Sequence, residues 1–104
     1  MKQVINFLIY DTAHATVIAK GGNDYAQSDH NHEWETLYQT AHGRWFLHGE
    51  GGALSSYSKP IQNQGYVGSE RIDAMDDEAV MDWLERHNLV EMMVKHFPQM
   101  LEEA

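Results

Sequence analysis

The chain has 104 residues, a net charge of −9 and no cysteine. That length fits one domain with one small core, and the missing thiols exclude disulfides and suit a reducing cytoplasm. Residues 1–60 carry four basic and six acidic side chains and residues 61–104 three and ten, so the second part holds −7 of the −9. Without clustered Lys and Arg, direct nucleic-acid binding is disfavoured, and a protein with a basic surface is the complementary partner.

Lys2–Tyr10 reads as one strand, apolar enough to be covered on both faces. It is too short, and too interrupted by Asn6, for a signal peptide or a membrane span. Asp11–His14 reads as a turn, with the Asp side chain free to accept from backbone N–H groups. Ala15–Lys20 then returns as a second strand, completing a first hairpin. Tyr25–Glu33 is a polar loop. Within it His30 and His32 share one face if extended, and imidazole beside carboxylate suits a divalent metal. A zinc site needs three or four ligands, so no metal and no cofactor is expected, with His30 and His32 the candidate ligands if one binds.

Trp34–Thr40 alternates with period two, and Arg44–His48 places Trp45 and Leu47 opposite Arg44, Phe46 and His48. Ala41-His42-Gly43 between them gives a second hairpin. Gly49-Glu50-Gly51-Gly52 matches neither a Walker loop nor a dinucleotide fingerprint. It is expected to end the strand in a tight turn beside another backbone, with Glu50 a candidate binding residue. Ser55–Gly68 reads as a long connecting loop pinned by Tyr57, Ile61 and Tyr66. Long loops carry binding residues, which makes Tyr57 and Tyr66 candidates. Ser69–Asp73, around Ile72, adds one short strand.

Asp76 is a good N-cap, and the apolar stripe Ala79, Val80, Trp83, Leu84 and His87 predicts a helix over Asp77–Asn88. A second helix begins at Leu89 or Val90, turns Leu89, Val90, Met93, Val94 and Phe97 inward, and stops at Pro98. The expected fold is α+β: an antiparallel sheet of four to five strands with two hairpins, covered on one face by two C-terminal helices.

The run E-T-L-Y-x-T-x-x-G-R-x-F-L-x-G-E-G-G-A-x-S-x-Y spans Glu35 to Tyr57. Tyr10-Asp11-Thr12 precedes it, and Ile72, Met75, Glu78-Ala79 and Trp83-Leu84-Glu85 follow. Together these residues resemble a family of small bacterial proteins of uncharacterised role, associated with anaerobes and mobile elements. The resemblance implies an α+β domain and carries over no catalytic residues.

Ser55, Ser56 and the seven histidines form no nucleophile motif such as G-x-S-x-G. Glu35 and Glu50 are a candidate carboxylate pair across the hairpin. The reading that fits is a small acidic, non-enzymatic protein-binding or accessory protein. Asp82 and Glu85 on the first helix would meet the basic partner. The alternatives are a DNA mimic using the acidic C-terminal face, a small metal-dependent or hydrolytic enzyme, and a homodimer joined through an apolar patch.

Overall fold

The alternation across Trp34–His48 forms the hairpin that it predicts. The computed structural model describes residues 1–104, in the order β1 (Lys2–Ile5), β2 (Leu8–Asp11), β3 (Thr16–Gly22), β4 (Glu33–Gln39), β5 (Trp45–Gly51), β6 (Lys59–Ile61), β7 (Gly65–Val67), β8 (Ser69–Met75), α1 (Asp77–Arg86) and α2 (Val90–His96). Strands β3, β4, β5 and β8 make one antiparallel sheet in that spatial order. Leu37 faces Leu47, and Tyr38 faces Phe46, across the central pair. The fold is α+β.

Strand parity sends alternate residues to opposite faces of this sheet. Leu37, Trp45 and Leu47 point to one face, where Val80, Trp83 and Leu84 of α1 and Met93 and Phe97 cover them. Trp83 is fully buried. The side chain of Asp76 caps α1 by accepting from the Ala79 N–H at 2.8 Å, and Asn88 leaves the helix in the left-handed region. On the opposite face Tyr10, Phe46 and Ile72 form a smaller cluster with Ile5, Ala15 and Tyr38. Tyr38 stacks on Phe46 at 5.0 Å, and Tyr10 meets the same ring edge-on at 5.5 Å.

Four expectations are corrected. Lys2–Tyr10 is not one central strand: it breaks at Asn6-Phe7, both at positive φ (51° and 65°), and β1 folds back on β2 as a separate two-stranded sheet. Asn6 tolerates that conformation through its short polar side chain. The partner of β3 is consequently β4 and not the N-terminal strand. Ser55–Gly68 is not a plain loop, because it contains the β6–β7 hairpin, turned at Asn63 and Gly65 with positive φ. In α2 only Met93 is buried, with Phe97 just beyond it; Val90 and Val94 lie more than half exposed, since a helix this short presents one narrow stripe to the core.

Phe7 is 99% exposed at the tip of the first hairpin and holds a left-handed backbone that disfavours any bulky residue. Phe7→Gly removes the steric cost of that conformation and loses no buried surface. It is expected to raise the unfolding free energy by ~0.5–1 kcal/mol, the relief being partly offset by the freer unfolded glycine. An unchanged or lower urea midpoint at constant slope would contradict a tight two-residue turn at Asn6-Phe7.

Candidate functional site

The two faces of β4 lead to two different polar constellations. On the helix-covered face lies the Glu35 carboxylate. The Tyr57 hydroxyl donates to its Oε2 in a short hydrogen bond, the Trp83 indole N–H donates to Oε1 at 3.2 Å, and His87 Nε2 is 3.7 Å from Oε1. Glycine makes the room. A Cβ at Gly49 would enter the Tyr57 ring, and one at Gly21 would come within 2.7 Å of the Trp83 ring. Burial, and then the adjacent Glu35 carboxylate, push the Tyr57 hydroxyl well above the ordinary tyrosine range. The Arg71 guanidinium lies 4.4 Å from the centre of the Tyr57 ring and is held by Asp73. This cluster ties β4, the segment after β5 and α1 together.

On the other face the β1–β2 hairpin covers only the end of the sheet that carries Phe46. The remainder is an open saddle of about 270 Å³, lined by Lys20, Trp34, Thr36, His48 and Glu50 together with backbone of Gly21 and Glu35. Cross-strand register builds it. Trp34, Glu50 and Glu70 stand in one row, and Lys20, Thr36, His48 and Ile72 in the next. Trp34 is 38% exposed. Its indole N–H donates to the Tyr25 carbonyl at 3.2 Å, and the His32 ring packs edge-on at 5.5 Å, so its orientation is set. His48 Nε2 lies 3.0 Å from Glu70 Oε2. Neither Glu50 nor Lys20 has an ionic partner within 4 Å.

The residues singled out from the sequence are dispersed. Glu50 lines the saddle, and Gly49 to Gly51 continue β5 rather than ending it, because cross-strand pairing to β4 and β8 persists to Gly51. Their close approach to other chain is real. A Cβ at Gly51 would strike Ser55 Oγ, and one at Gly52 the His30 backbone. Glu35 and Glu50 do not pair: Glu50 is opposite Trp34, so parity puts the two carboxylates on opposite faces. Tyr57 is buried against Glu35, whereas Tyr66 is 64% exposed on β7 and pins nothing. Asp82 and Glu85 lie on the outer side of α1. His32 Nδ1 lies 2.7 Å from the Asp29 carbonyl oxygen and His30 is exposed. No three His, Asp or Glu side chains converge as a metal site would require.

Trp34, Lys20 and His48 were missed as site residues. The signal for Trp34 and His48 is their shared parity with Glu50 in the central hairpin. Lys20 becomes visible only once β3 is known to pair with β4. The chain matches no family model, no curated protein and no solved structure.

Tyr57 gives a test of the Glu35 cluster. Its folded-state pKa is raised, so its contribution is complete below the unfolded tyrosine value near 10. Above that pH the unfolded chain loses the proton while the folded chain keeps it, and stability falls by up to ~1.4 kcal/mol per pH unit. Tyr57→Phe should be less stable at pH 7 by ~1–3 kcal/mol, because it strips a partner from a partly buried carboxylate. The same variant should show a shallower alkaline decline. Parallel pH–stability curves for the two proteins would mean that the hydroxyl is not held as described.

Proposed function

We propose that the protein is a non-enzymatic binding protein whose partner is a protein with a basic surface. It would serve as an accessory protein of the mobile-element kind that the resemblance implies, working in the cytoplasm. The observation that supports this is the outer side of α1. Glu78, Asp82 and Glu85 follow one another at helical spacing, all exposed, and none has a cation within 4 Å. Asp76, Asp77 and Glu78 have a local reason to be acidic, as the cap and first turn of a helix whose dipole favours negative charge there. Asp82 and Glu85 lie beyond that turn. Uncompensated carboxylates on a chain of net charge −9 raise a negative potential that draws a basic surface and speeds encounter. No helix is long and apolar enough to cross a membrane.

The double reversal Asp82→Lys with Glu85→Lys should leave folding stability within ~0.5 kcal/mol, since both side chains are exposed and unpaired. It should slow association with a partner recovered by pull-down and reduce the salt dependence of that rate. An unchanged association rate would make the acidic face a solvated surface only.

A twofold homodimer is a second reading, favoured by one observation. Val4 and Ile9 are paired on the outward side of the β1–β2 hairpin at 61% and 66% exposure, next to Phe7. Sedimentation should then show a concentration-dependent dimer that Ile9→Lys abolishes. A monomer across the concentration range would remove this reading.

A further inference from the structure

The open saddle on the sheet has four properties that bear on what fits it. It has one aromatic lining residue, Trp34, whose indole is held by the Tyr25 carbonyl and the His32 ring. It has one carboxylate free of any partner, Glu50, directly across the strand pair from Trp34. A second carboxylate, Glu70, stands in the same row, held by His48. Lys20, without an ionic partner, also lines it. The volume, about 270 Å³, is below the roughly 300–1,000 Å³ of pockets that enclose a whole drug-sized ligand. It suits a single long side chain. A bare metal ion is not served here, since His48 already faces Glu70 and no third ligand converges.

We infer that this saddle is a subsite for one planar cation, the guanidinium of an arginine side chain presented by the partner protein. The inference rests on the reading that the partner is basic. A guanidinium stacks its face on an indole while its edge donates to a carboxylate, a combination that the compact lysine ammonium does not reproduce. Trp34 beside Glu50 offers those two surfaces in one cross-strand pair. Thr36 forms the floor between them and Lys20, and the apolar stem of an arginine lies over such a floor. The Lys20 ammonium on the same lining opposes the bound cation and holds its affinity down.

The test uses the intact protein and small probes, independent of any partner. Nα-acetyl-arginine amide is titrated against the 15N-labelled chain, with the lysine and citrulline analogues as controls. The expected result is progressive shifts of the Trp34 indole N–H and of the Thr36, His48 and Glu50 amides, with a dissociation constant on the order of 1 mM for one stacked, partly solvated ion pair. The citrulline analogue, of the same shape without the charge, should bind at least about tenfold more weakly, and the lysine analogue several-fold more weakly. Glu50→Gln should weaken the arginine probe about fivefold or more, and Lys20→Gln should tighten it, both with spectra otherwise unchanged.

Equal binding of citrulline or lysine, shifts confined to α1, or an arginine titration unaffected by Glu50→Gln would each overturn the subsite. So would the absence of shifts in the folded wild-type chain. If the arginine probe binds here while the Asp82/Glu85 reversal leaves partner association untouched, the acidic-helix reading fails and the subsite stands. The reverse pattern retains the basic partner and removes the subsite.

Discussion

The Glu35 carboxylate is the constraint on which most of this architecture depends. A charged group taken largely out of water is costly unless its oxygens are all engaged. Here the engaging groups come from far along the chain: Tyr57 from the segment after β5, Trp83 from α1 and His87 from the residue that caps its C-terminus. Each of these could reach Glu35 only because the strand residues beneath them, Gly49 and Gly21, have no side chain. The acid, its donors and two glycines therefore form one requirement spread over β3, β4, β5, the loop and α1. The apolar cluster beside it, Leu37, Leu47, Val80 and Leu84, supplies the area term. The carboxylate fixes how the helix is set on the sheet.

Closing that face has a consequence for the opposite one. The element that packs on the opposite face is the β1–β2 hairpin. It is four residues per strand and reaches Phe46 and Ile72 but no further. Gln3 Oε1 accepts from the Ile72 N–H and ties the hairpin to the edge strand β8. The row of Trp34, Glu50 and Glu70 is left open because the β1–β2 hairpin is too short to reach it, and the separate β6–β7 hairpin has no apolar face to bury there. A half-covered antiparallel sheet ordinarily shows polar side chains to water. A tryptophan 38% exposed and held by a hydrogen bond departs from that pattern, because an indole carries a large apolar area that burial would otherwise remove from water.

What could be read from the sequence was what short-range physics determines. Strand parity in Trp34–His48 and the cap at Asp76 are local signals, and both formed as expected. The Asn6-Phe7 turn was hidden because Phe carries no turn propensity, although Asn before it was a signal for positive φ. The β6–β7 hairpin was hidden because its six residues are all exposed and bury no periodic face. The Glu35 cluster was unreadable for a different reason. Its partners lie 22 and 48 residues away, and no local pattern says that a loop tyrosine and a helix tryptophan will meet at one carboxylate. Glu50 was legible as unusual, and Trp34 shares its parity in the central hairpin, but Lys20 depends on the pairing of β3 with β4, which the misread first hairpin concealed.

The separation of Glu35 from Glu50 by strand parity also separates their consequences. They belong to adjacent rungs of the same β4–β5 pair, Glu35 opposite Gly49 and Glu50 opposite Trp34, so a one-residue slip of β5 would turn Glu50 onto the face that already holds Glu35. The slip is blocked from both sides of the sheet. On one side it would drive Glu50 against Tyr57 and Trp83, which already have their acceptor. On the other it would bring Trp45 and Leu47 out into water and turn Phe46 into the helix interface. Register is thus held by the buried carboxylate and by two aromatic clusters at once, and the open carboxylate carries none of that burden. Substitutions at Glu35 act through folding, whereas substitutions at Glu50, unpaired and partly exposed, leave the fold intact and report on whatever the open face binds.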